Sequence, residues 1–437
     1  MCEKLLLGVA QTDITPKIGA RLFGYGGNVR SETVHDNLTA TAFWFENGNT
    51  RALLMSITVC SIITPLADRI RAEIASSLSV PYENCILNVT HTHTGPTTAG
   101  MVGWGEIDTD YCETIFIPRL LQVARDAAVA PVPVKMGIAQ GKSYIGINRR
   151  QLMSNNRIEL GQNPWGPFCP DMTVISFRDS EGKAVANMIH YGLHGTSAGK
   201  STVIGRDWSG VMVDRLVAET GAVTAFFCGP EGDVGPRLSN GETIGNIALM
   251  EELGGVAASD AIRIYKEIRS FHDATLSCAG KTVRIPLDKR ISPETAKAGY
   301  ERFSKEPGGT AMALANHYQE VLASYENGYE EVDAREIPQT IIKIGDVAFV
   351  STPYELFSVI GMRIAEASPV PYTLNLVLSN GSEGYFITED NLYLAPHNGG
   401  YEVAMYSMTT LQPYTHDADY YIVKETLKNL EELTCTE

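Results

Sequence analysis

Short apolar runs, bounded by turn residues and followed by amphipathic stretches, recur along this chain and leave few folds open to it. Such runs read as buried strands, while apolar residues spaced by three and four read as helices laid against them. The alternation predicts an α/β protein with a mixed β-sheet core flanked by helices. Thr39–Glu46 predicts a strand, Asn47-Gly48-Asn49 a turn and Arg51–Val59 the partner strand. Leu66, Ile70, Ile74 and Leu78 predict a helix over Pro65–Leu78, and Cys85–Thr90 the next strand. Asp108–Val129 predicts one long helix with Asp108 as N-cap. Later strands are expected at Val134–Ala139, Met172–Phe177, Ala184–Tyr191, Val223–Cys228 and Thr373–Leu378, with a hairpin over Gln339–Val350. Helices are expected at Ser209–Thr220, Ile247–Ser270, after Pro353 and at Asp417–Leu433. The charged, Ala-rich Pro293–Tyr325 predicts two helices, a peripheral excursion within 290–330. No internal repeat or linker is visible, so 1–437 reads as a single domain.

A composition of 44% hydrophobic and 20% charged residues is that of an ordinary globular protein. Lys+Arg number 35 against 51 Asp+Glu, a net charge of -16, which argues against nucleic acid or an anionic membrane as partner. No apolar stretch approaches the roughly 20 residues of a bilayer span, so no stable membrane insertion is expected. Leu5–Ala10 is too short for a signal-peptide core and meets Thr12, Asp13 and Lys17 at once. It reads as the first buried strand, and a cytoplasmic location is expected. The eight cysteines are scattered without Cys-x-x-Cys spacing, which predicts reduced thiols.

The chemistry gathers at strand ends. Asn88-Val89-Thr90-His91-Thr92-His93-Thr94-Gly95-Pro96 directly follows the apolar Cys85-Ile86-Leu87. Imidazole is the commonest metal ligand in proteins, and a strand end aims it rigidly. Residues i and i+2 share a face of a strand, but the loop announced by Gly95-Pro96 lets them diverge. One histidine suits metal binding and the other proton transfer. Polar clusters also end other strands: His190 through Ser197, Gly229 through Pro236, Ser351 through Glu355, and Asn380 through Tyr385. Ligands in open α/β sheets collect outside strand ends, so these loops are expected to converge on an active site. Asp233 and His35 are further pocket candidates, although each also reads as a turn residue. His190 is expected to pack within its strand, and His272, His317, His397 and His416 to be solvated.

These motifs together resemble the neutral/alkaline non-lysosomal ceramidases, zinc-dependent hydrolases of the ceramide amide bond. His91-Thr92-His93-Thr94-Gly95-Pro96 is similar to the family's His-Thr-His-Ser-Gly-Pro, and Asn148-Arg149 to its Asn-Arg element. His194-Gly195-Thr196 resembles its His-Pro-Thr, and Gly232-Asp233-Val234-Gly235-Pro236 its Gly-Asp-Val-Ser-Pro. Pro353-Tyr354-Glu355-Leu356-Phe357 resembles Pro-x-Glu-Phe, and Gly384-Tyr385 through Tyr401-Glu402 the family's Gly-Tyr through Tyr-Glu-Gly. The resemblance implies a ceramidase catalytic-domain fold with Zn2+ held by His91, His194, Glu355 and Tyr385. It implies that His93, Arg149 and Tyr401 surround the nucleophilic water and the scissile carbonyl. The substrate it implies is a small-molecule or lipid N-acyl amide, cleaved by metal-activated water. An ester or lactone substrate, or a metal-binding homologue without turnover, would use the same groups. Gly235 stands where the family has Ser, which excludes a seryl nucleophile there, and the C-terminal β-domain of full ceramidases is expected to be absent.

Overall fold

The computed structural model describes residues 4–393 and 399–435. It contains one arrangement of strands and helices three times over. In the first unit the strands Leu6–Asp13, Thr39–Asn47 and Thr50–Ile57 run antiparallel in that order. The helix Thr64–Leu78 then crosses over to Cys85–Val89, which lies parallel to Thr50–Ile57. The second unit repeats this with Lys135–Lys142, Asp171–Arg178, Ala184–Tyr191, the helix Asp207–Thr220 and the parallel Val223–Cys228. The third does so with Leu276–Pro286, Ala334–Ile344, Val347–Ser351, the helix Ser358–Ala367 and the parallel Tyr372–Leu376. Each unit closes with a further helix (Ile117–Ala128, Ile247–Lys266 and Ala418–Cys435) packed against its crossover helix. A short strand, Val132–Pro133, extends the first sheet at its edge.

Strand periodicity sorts side chains between two cores. Along Thr39–Asn47, Ala40, Ala42 and Trp44 face the helices, while Phe43 and Phe45 face the other sheets. That second core draws Phe177 and Phe227 from the second sheet and Phe349 and Leu376 from the third. Both faces of these strands are therefore buried, which is why they read as nearly continuous apolar runs. At the centre Asn88, at the end of the fourth strand of the first unit, donates to the Val377 carbonyl at 2.7 Å and accepts from Cys228 N–H at 2.9 Å. Val377 N–H in turn donates to the Cys228 carbonyl at 3.1 Å. The fourth strands of all three units thus meet tip to tip.

Strands and helices fall where periodicity places them, with instructive differences. The expected helix 108–129 is capped by Asp108, whose side chain accepts from Tyr111 N–H. It widens into a π turn over Cys112–Phe116, just ahead of Pro118, which has no N–H to offer the preceding turn. The hairpin Gly146–Leu152/Ile158–Asn163 was hidden because its sequence, rich in Arg, Gln and Asn, carries no apolar alternation. The absence of a visible repeat gives way to a threefold topology, because the repeated property is apolar pattern rather than residue identity. The two helices expected at 293–325 are Pro293–Phe303 and Gly309–Glu326. The described cysteines are all free. Among the described residues no helix is long and apolar enough to cross a membrane.

Candidate metal centre and its cavity

The strand ends meeting at the middle of the molecule each bring one reactive side chain. Third strands lead to Cys60, His194 and Glu355; fourth strands lead to His91, Glu231 and Tyr385. His91 sits in the left-handed region, with φ of 61°. Such a backbone costs about 1–3 kcal/mol in a non-glycine residue and persists only where its surroundings enforce it. Here His91 N–H is held by the Val59 carbonyl at 3.1 Å. The neighbouring segment is stitched to the second unit by His93 N–H donating to the Gly195 carbonyl at 3.0 Å. Gly195 must be glycine: a Cβ there would lie 2.5 Å from the His91 carbonyl oxygen.

Both imidazoles are oriented by backbone. Nδ1 of His91 lies 2.8 Å from the Cys60 carbonyl and Nδ1 of His194 lies 2.9 Å from the Glu231 carbonyl, so each of these nitrogens carries a proton. Their Nε2 atoms are left facing inward, the arrangement that prepares histidine for a metal. Glu355 Oε2 stands 3.1 Å from His194 Nε2 and 3.5 Å from His91 Nε2, yet makes no directed hydrogen bond among the described residues. A short parallel ladder pairs Glu355 with Tyr385, and the Tyr385 hydroxyl reaches within 3.3 Å of His194 Nε2. Ligating atoms of His91, His194, Glu231 and Glu355 all lie within 4.8 Å of one another, and all of these residues are buried. Imidazole nitrogens and carboxylate oxygens converging on one buried point suit a divalent cation.

Burial opposes charge on every group here, and neighbours decide the outcome. At His91 the Cys60 sulfur and the Glu355 carboxylate overcome burial and hold its pKa well above the ordinary value. At His194 burial and the Arg149 charge push it down to about 3. Burial resists ionisation of Glu355, but His91 and His194 hold it well below the usual carboxylate range. His93 is depressed well below its ordinary value by burial and by the other two imidazoles, so it is a neutral base. Its Nε2 lies 3.2 Å from His91 Nε2. Its other face is cradled by Gly24, where a Cβ would come within 2.5 Å of Nδ1.

Arg149 Nη2 donates to the Tyr385 hydroxyl at 3.0 Å and its Nε to Glu402 at 2.8 Å. Glu402, 1% exposed, also receives Arg150 at 2.6 Å, so both arginines are buried and neither is a surface ion pair. Tyr401 stands between Trp104 and Tyr385, with ring centroids 6.2 Å and 5.6 Å away. A cavity of about 340 Å3 opens over the cluster, lined by His91, His93, Glu355, Tyr385 and Tyr401 and by apolar Phe23, Met101, Trp104 and Met405. Its far wall is the helix Gly309–Glu326, through Ala313, Asn316 and His317. A smaller cavity of about 190 Å3, lined by Tyr25, Arg149 and Lys200, meets it at His93, Tyr385 and Tyr401.

His91, His93, His194, Glu355, Tyr385, Arg149 and Tyr401 are therefore brought together. Two candidates are not. His35 pairs with Asp36 and Glu251 and lines none of these cavities, as its turn context foretold. Asp233 is a brace: it accepts from Ser358 N–H at 2.7 Å, Ser358 Oγ at 3.1 Å and Asn148 Nδ2 at 3.2 Å. Burial raises its pKa to about 6 even though Ser358 favours the anion. Gly235 pairs with Ile147 in a strand, where a Cβ would meet Thr243 at 2.8 Å. His190 packs as expected, with Nε2 3.0 Å from the Asn375 carbonyl. His317 is buried rather than solvated, because helical phase turns it inward beside Ala313. His397 lies outside the described residues. Sequence reading missed Glu231 and Glu402; the latter stood inside the Tyr401-Glu402 pair without an assigned role.

The same architecture occurs in solved structures. The neutral ceramidase of Pseudomonas aeruginosa superposes with a TM-score of 0.74 over 99% of this chain and 75% of that one, at 17% identity. The fold is that of the neutral ceramidases. A second solved structure, a ceramidase complexed with C2, gives a TM-score of 0.75 at 18% identity over 99% of this chain and 76% of that one. No protein-family model and no curated protein sequence matches the chain.

Proposed function

We propose that this chain is a metal-dependent hydrolase of N-acyl amides, working as one catalytic domain. The observation that carries the reading is the convergence of His91 Nε2, His194 Nε2 and Glu355 Oε2, all buried, at the floor of a cavity with apolar walls. The likeness in fold to ceramidases agrees with it. His91, His194, Glu355 and Tyr385 are the proposed ligands, and zinc is the proposed ion. A divalent ion bound there would acidify water to near neutral pKa and polarise a carbonyl.

The chain's own groups supply the rest. The scissile amide sits where the two cavities meet, with its acyl arm against Phe23, Met101 and Met405. A volume of about 340 Å3 is at the low end of small-molecule sites, which favours a compact acyl group. Tyr401 and Arg149 face the reacting carbonyl as hydrogen-bond donors to the oxyanion. His93, neutral through burial and its imidazole neighbours, takes a proton and returns it to the departing amine nitrogen. Glu402 keeps Arg149 in place.

The test is turnover by the purified chain of an amide and an ester carrying the same acyl group. Amide cleavage that a chelator abolishes and added zinc restores is the expected result. Ester cleavage alone would reassign the enzyme as an esterase, and no metal dependence would overturn the reading.

A further inference from the structure

Glu231 closes the fourth strand of the second unit, the position that yields His91 in the first unit and Tyr385 in the third. It is 0% exposed, and neither carboxylate oxygen has a hydrogen-bond partner in any other described residue. Buried carboxylates are ordinarily paired or bound to a metal. The backbone that carries it is fixed. Its carbonyl receives His194 Nδ1–H, and the next residue, Gly232, donates to the Leu356 carbonyl at 2.9 Å. A Cβ at Gly232 would lie 2.6 Å from the Glu355 carbonyl oxygen, so the two acidic segments are pressed together. One ligating atom from each of His91, His194, Glu231 and Glu355 lies within 4.8 Å of those of the other three, so the Glu231 carboxylate shares the site of the proposed ion.

We propose that the Glu231 carboxylate is a direct ligand of the same ion, which makes the donor set two imidazoles and two carboxylates beside the Tyr385 phenol. The assignment rests on the metal reading above. Two carboxylates balance a dication, and the oxygen-rich set admits a harder ion such as Mn2+ as well as Zn2+.

The test compares the full chain with Glu231→Gln and Glu231→Asp, stripped of metal and titrated with Zn2+ and Mn2+ by calorimetry. Glu231→Gln is expected to bind at least about 100-fold more weakly, beyond the loss seen for groups that only orient ligands. Its metal-free melting temperature is expected to stay level or rise, since no hydrogen bond is removed. Glu231→Asp, one methylene shorter with the charge kept, should bind with intermediate affinity and covers the case in which the amide variant misfolds. In the Co2+-loaded protein the visible d–d bands should change with Glu231→Gln. Unchanged affinity and bands in both variants would overturn the role of Glu231 while leaving the metal centre standing. Wild-type protein that binds no ion would overturn both.

Discussion

The two sides of the large cavity are made differently. Its floor gathers side chains from three sheets, each fixed by backbone contacts between units, whereas its far wall is one face of a single helix, Gly309–Glu326. On the floor His91 is held in a left-handed conformation, and Gly195 and Gly232 admit no Cβ. The wall is inserted between the first two strands of the third unit, within 287–333, and needs only the spacing of Ala313, Asn316 and His317 to present its inner face. Floors of this kind fix chemistry and tolerate little change; walls of this kind can vary and, on the proposed function, would set which acyl group fits.

This contrast can be broken most sharply at the floor. His194→Ala should bind metal more than about 100-fold more weakly and lose essentially all turnover, read by metal content and kcat/KM. Tyr401→Phe, which removes one oxyanion donor, should lower kcat about 100-fold with the fold intact by circular dichroism. Asn88→Ala strands Cys228 N–H and leaves the Val377 carbonyl only the 3.4 Å bond from Ser379 Oγ at the junction of the units. With about 1–3 kcal/mol per stranded group, it should destabilise by about 3 kcal/mol in denaturant unfolding.

The wall should respond to pH and little else. Burial lowers the His317 pKa to about 4, against an ordinary value near 6.5. As pH falls the unfolded chain takes up this proton first. Its contribution is therefore intact above pH 6.5 and lost progressively towards pH 4, up to about 3 kcal/mol. Wild type should lose more stability than His317→Gln between pH 7 and 4.5, and parallel curves would count against this burial. Met312, on the outer face of the same helix and 54% exposed, should accept lysine within about 0.5 kcal/mol of unfolding stability.

Much of the floor was legible because local rules govern where a strand ends. The turns at Asn47-Gly48-Asn49, Asp179–Gly182 and Gly345-Asp346 and the apolar runs beside them place the hairpins that the structure contains. The polar loops that follow held His91, His194, Glu355 and Tyr385. Glu231 was hidden because Gly-Pro-Glu-Gly-Asp reads as a turn, and only packing reveals that its carboxylate meets no donor from another described residue. Asp233, two residues on, looked the better candidate and proved to be a brace. Arg149 was visible only through resemblance, since the strand that carries it has no apolar signature. His317 was misplaced because its polar neighbours outweighed its helical phase.

By itself the sequence determined which apolar-patterned segments become strand or helix, since spacing of two or of three and four needs only neighbours along the chain. It also determined the donor types waiting at strand ends. Only the tertiary structure decided that three units meet at Asn88, Cys228 and Val377, and hence which donors share one point. The physical reason is that convergence depends on contacts between residues hundreds of positions apart, made by packing two-sided sheets that have no other way to cover their inner faces.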